Sequence, residues 1–132
     1  MKRKYFLDRH KMLEITYKIL QTNNEALMAY DMSDIMRFIF SARHLEITQF
    51  NFSKRITTSS ELLDALREID SELRAKKLLL HITYPMEVSG KKIASSMRAV
   101  ESQLTPYKEL MMIPSQKHSP KYWQVTLYVL DE

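Results

Sequence analysis

The sequence predicts an α+β fold in one compact domain spanning residues 1–132, and three observations predict it. The chain has 132 residues, of which 45% are hydrophobic and 27% charged. That is enough apolar material for a core and the balance of an ordinary globular protein. Hydrophobic spacing is helical in the first half and alternates with period two towards the C-terminus, where strands are expected. All four prolines (85, 106, 114 and 120) lie in the second half, which places more helix early and more strand late.

The elements follow in order. Residues 8–22 read as a helix that Asp8 caps, with Met12, Leu13, Ile15, Tyr17, Ile19 and Leu20 as a broad apolar band. Thr22, Asn23 and Asn24 are turn formers that end it. A second helix is predicted from Met32 to Arg43, opened by Asp31 or Ser33 and closed by Arg43 and His44. Its Ile35, Met36, Phe38, Ile39 and Phe40 leave little polar face, so it should be buried in the domain or in an interface. Leu45 to Phe52 is a predicted strand. Thr58-Ser-Ser-Glu61 is a capping box, in which the Thr58 hydroxyl and the Glu61 carboxylate satisfy backbone donors of a helix running to about Lys76. Leu62, Leu66, Ile69 and Leu73 form its inner stripe, and the opposite face alternates in charge.

Leu78 to Tyr84 is a run of apolar and β-branched residues, expected as a central strand, with His81 a hydrogen-bonded core residue. Ile93, Met97, Val100 and Leu104 give a helix that stops before Pro106, with Gly90 at its entrance. Tyr107 to Ile113 and Tyr122 to Leu130 read as two strands joined by a loop from Pro114 to Pro120. The predicted order is therefore α-α-β-α-β-α-β-β. Its closing helix, strand, basic loop and strand follow the order found at the end of a winged helix, and a four-stranded α/β sandwich is the alternative.

Charge suggests a partner. The net charge is +4 with a pI near 9.3, which permits nucleic-acid binding without requiring it. The middle of the chain is neutral to acidic. Positive charge concentrates in residues 1–12 and between Lys91 and Lys121. The sequence-based expectation is a small DNA-binding regulator of transcription or replication. Lys91, Lys92, Ser95, Arg98 and Gln103 would face a groove, with Arg98 reading a base edge. Lys117, His118 and Lys121 would meet phosphates, and Lys2, Arg3 and Lys4 would form a basic arm. The alternative is an adaptor, inhibitor or dimerising subunit, because nine methionines suit irregular apolar contacts. Met111-Met112 and the helix around Phe38 are its candidate patches for a homodimer or another protein.

The residues give no sign of an enzyme. The four histidines are scattered, there is no cysteine, and one glycine cannot build a phosphate-cradling loop. No metal or cofactor is expected. Asp8, Arg9, His10 and Lys11 interrupt the apolar run that a signal peptide would need, so a cytoplasmic protein without membrane contact is expected.

Overall fold

A computed structural model of the chain describes residues 2–6, 8–22, 32–40, 46–73, 76–104, 109–118 and 120–131. The predicted turn at Asn23–Asn24, the cap at Asp31, the closing Arg43 and His44, and the strand start at Tyr107 lie outside them. The elements are β1 (Lys2–Phe6), α1 (Arg9–Thr22), α2 (Met32–Phe40), β2 (Glu46–Ile56), α3 (Ser59–Arg67), α4 (Asp70–Leu73), β3 (Lys77–Pro85), α5 (Gly90–Gln103), β4 (Glu109–Lys117) and β5 (Trp123–Asp131). The mixed α+β class is as expected. No helix among the described residues is long and apolar enough to cross a membrane.

The strands form one five-stranded sheet in the order β1-β2-β5-β3-β4. Strands β3 and β4 are parallel, while β5 runs antiparallel to both β2 and β3. The carboxyl ends of β2, β3 and β4 therefore lie at one end of the sheet, beside the amino end of β5. Every residue of β3 is buried, as a strand with neighbours on both sides and layers on both faces requires.

Alternation along the strands assigns the two faces. Leu78, Leu80, Ile82 and Tyr84 of β3 pack with Trp123, Val125, Leu127 and Val129 of β5 under α3 and α5. Leu79 packs with Ile47, Ile113, Tyr128 and Leu130 against Met12, Ile15 and Ile19 of α1 and Ile35 and Ile39 of α2. The sheet is thus sandwiched between α1–α2 on one face and α3–α5 on the other.

The capping box forms as expected. The Glu61 amide donates to Thr58 Oγ1 at 3.2 Å, and the Glu61 carboxylate accepts from the Thr57 amide at 3.2 Å. The helix it opens does not run unbroken to Lys76. Bonds tighten to i→i+3 between Ile69 and Leu66 and between Glu72 and Ile69, which divides it into α3 and α4. Leu62, Leu66 and Leu73 are still buried.

Three further expectations are corrected. The N-terminal basic segment is not an arm but the edge strand β1, paired with β2 from Lys2 opposite Phe50 to Phe6 opposite Glu46. A charged edge resists further strand pairing. The last two strands do not make a hairpin, because β3 lies between β4 and β5. The winged-helix arrangement of α5 followed by a hairpin is therefore absent among the described residues. Nor does β4 stop at Pro114. It continues to Lys117, since a strand at the sheet edge tolerates a residue without an N–H.

Lys77 is 1% exposed, with Nζ 4.3 Å from the centre of the Phe38 ring and 3.6 Å from Glu109 Oε2. Such a charge is held by its surroundings at a desolvation cost. Lys77→Met, which removes the buried charge itself and leaves Glu109 in contact with solvent, should cost less stability than Glu109→Gln, which leaves the buried ammonium without this carboxylate. Urea unfolding of the two variants checks that order, and a Lys77→Met variant less stable than Glu109→Gln would contradict it.

Candidate anion-binding site

The α1–α2 face of the sheet is divided across its middle. Under the helices lie Ile47 opposite Leu130, and Tyr128 beside Leu79. Beyond them, towards the carboxyl ends of β2, β3 and β4, the same face turns polar. One row runs Asn51, Thr126, His81; the next runs Gln124, Thr83, Ser115. Apart from the buried Ser115, this half forms the floor of a groove of about 530 Å³. That volume lies in the range of roughly 300–1,000 Å³ typical of small-molecule sites.

Three lysines stand in the groove wall: Lys18 from α1, Lys117 from the end of β4 and Lys121 before β5. All three are exposed, and among the described residues the wall contains no aspartate or glutamate. Lys18 and Lys117 have no ion pair among the described residues. Tyr122 also lines the groove, with the Arg55 guanidinium and the Lys121 ammonium each 5.7 Å from its ring centre.

His81 is 8% exposed, and its Nε2 lies 3.1 Å from Ser115 Oγ, so it is the hydrogen-bonded core histidine expected from the sequence. It also touches the groove. Burial first, then the positive charges of Lys18 and Lys117, push its pKa down to about 4. The imidazole is therefore neutral near pH 7. A serine within reach of a histidine resembles part of a nucleophilic pair. Ser115, however, is fully buried and is not part of the groove wall. The pair is a buried hydrogen bond beneath the groove floor.

The residues singled out by sequence fall into three places. Lys117 and Lys121 line the groove, and His118 is exposed beside Lys117. Lys91, Lys92, Ser95, Arg98 and Gln103 are exposed on α5, whose Ile93 and Val100 pack on the opposite face of the sheet. Lys2, Arg3 and Lys4 lie on β1, where Lys2 pairs with Glu72 and Lys4 lies 3.5 Å from Glu46. The structure does not bring these three groups onto one surface. Of the Met and Phe patches, Met112 is 8% exposed and Met111 and Phe38 pack against the α1–α2 core, whereas Phe40 of α2 is 53% exposed.

No family model and no curated protein matches the chain.

Sequence reasoning missed Lys18, Asn51, Thr83, Tyr122, Gln124 and Thr126. A signal was present: β3 turns from Leu79 to His81 and Thr83, while β5 turns from Gln124 and Thr126 to Tyr128 and Leu130. Only the antiparallel pairing of β3 with β5 makes these two trends one polar patch.

Proposed function

We propose that this protein is a non-enzymatic nucleic-acid-binding protein that holds backbone phosphates in the groove at the carboxyl ends of β2, β3 and β4. The observation that carries the proposal is the groove wall itself, with three lysines from three segments and, among the described residues, no carboxylate. Such a wall attracts an anion and repels nothing that carries phosphate. Hydroxyl and amide groups on the floor supply further hydrogen bonds to phosphate or sugar oxygens. The regulatory setting expected from the sequence, control of transcription or replication, is kept. The main contact moves from α5 to the groove, with His118 beside it.

Fluorescence anisotropy with labelled duplex and single-stranded oligonucleotides, titrated with salt, tests the proposal. Affinity should fall linearly on a log–log plot. Lys117→Ala/Lys121→Ala should make the slope shallower by about 1.4 for single strands and about 1.8 for duplex, two phosphate contacts having been removed. Absence of binding at low salt, or an unchanged slope in the variant, would overturn the proposal.

A further inference from the structure

The groove is concave and recessed into the sheet, which bears on the kind of nucleic acid it takes. Duplex readout uses a helix or strand ribbon that projects into a major groove about 12 Å wide. Among the described residues nothing in the groove projects in that way, because its floor is made of side chains on the strands themselves. A recess of about 530 Å³ instead admits one nucleotide drawn out of a strand.

Its parts are arranged for that unit. Lysines stand on the rim, and the floor offers the amide group of Gln124 and the hydroxyls of Thr83 and Thr126, beside Asn51, whose Oδ1 accepts from Gln49 Nε2 at 3.1 Å. Thr83 is the most telling. It is 2% exposed, lies in the groove floor, and its hydroxyl has no hydrogen bond among the described residues. A buried hydroxyl without a partner is uncommon, and a base or sugar in the groove would supply one. Tyr122, half-buried at the side, offers a ring for stacking.

Resting on the nucleic-acid reading above, we infer that the groove binds a single unpaired nucleotide. Phosphate lies against Lys18, Lys117 and Lys121, the base stacks on Tyr122, and Thr83 Oγ1 hydrogen-bonds the base or sugar. Unpaired bases can be splayed and read in this way, whereas stacked, paired ones cannot.

The test is anisotropy with a labelled ten-nucleotide thymidine strand and with a duplex of the same length at one salt concentration. The strand should bind more tightly. Tyr122→Ala should weaken strand binding roughly five- to 150-fold, the fold-change for losing one stacked base, and weaken duplex binding less. Thr83→Val keeps the side-chain shape and should weaken strand binding about two- to tenfold. Thermal unfolding of each variant shows that it is folded. In parallel, thymidine monophosphate and inorganic phosphate compete against the labelled strand with the wild-type protein, so the result does not depend on any variant folding. Competition by micromolar thymidine monophosphate assigns the groove to a soluble nucleotide, and competition only at millimolar levels assigns it to a nucleotide within a strand. Either result supports the inference if inorganic phosphate competes less well. Equal competition by phosphate, or equal strand and duplex affinity with both variants unchanged, overturns it while leaving the phosphate-binding proposal standing. Absence of all binding at low salt overturns both.

Discussion

Trp123→Ala is expected to lower the unfolding free energy by about 3–5 kcal/mol, the range for truncating a large buried aromatic. Trp123 is 3% exposed at the amino end of β5. Its ring meets Tyr84 edge-on, with centroids 4.7 Å apart and an interplanar angle of 66°. Tyr84 in turn donates a hydrogen bond to Ser96 Oγ of α5 at 3.2 Å. Trp123 also pairs with Ile56, where the β2–β5 register is irregular. One side chain therefore joins the start of β5, the end of β3, the irregular part of β2 and, through Tyr84, α5. Alanine there leaves a void among elements distant in sequence, which cannot close without moving strands. Urea unfolding measures the effect, with Gln124→Ala as a neighbouring exposed control expected to stay within about 0.5 kcal/mol of wild type. A loss below about 1 kcal/mol for Trp123→Ala would show that this packing is not what holds the sheet end together.

Trp123 also illustrates what can be read from the sequence. Trp123, Val125, Leu127 and Val129 alternate, and that alternation is the inner face of β5. The all-apolar character of Leu78–Leu80 signals a strand covered on both faces. The Thr58–Glu61 box marks a helix start by local hydrogen bonding alone. These features depend on neighbours in sequence. Strand order does not. Nothing in Glu109–Lys117 or Trp123–Asp131 indicates that β3 will lie between them, so two consecutive strands read naturally as a hairpin. The charged β1 lacks any apolar alternation and is held by pairing with β2 at the sheet edge. The groove depends on that same long-range order. Lys117 and Lys121 were visible as basic loop residues, but Lys18 lies on a helix that looked wholly structural. Asn51, Thr83 and Thr126 are ordinary polar positions until the register sets them side by side.

His81 links the stability of the fold to the state of the groove. Its pKa is about 4 in the folded chain, against an ordinary value of 6.5. Between these values the unfolded chain binds the additional proton, so stability falls as pH drops from 6.5 towards 4. Below the folded pKa both states are protonated and the loss is complete. A shift of that size amounts to about 3 kcal/mol. The charged groups acting on the imidazole are Lys18 from α1 and Lys117 from β4, and among the described residues the groove wall offers no carboxylate to oppose them. His81→Gln should remove this component, so wild-type and variant unfolding free energies should converge or cross between pH 7 and 4.5. Parallel curves would sink the assignment. The same linkage extends to the ligand. A phosphate in the groove offsets the charge of Lys18 and Lys117, which weakens the second cause of the depressed pKa. Bound nucleotide should therefore raise the His81 pKa and narrow the pH-dependent loss. Reciprocally, lowering the pH through that range should strengthen anion binding in the wild type more than in His81→Gln. Measuring oligonucleotide affinity at pH 7 and pH 5 for both proteins checks this, and an equal change in the two would separate the histidine from the groove.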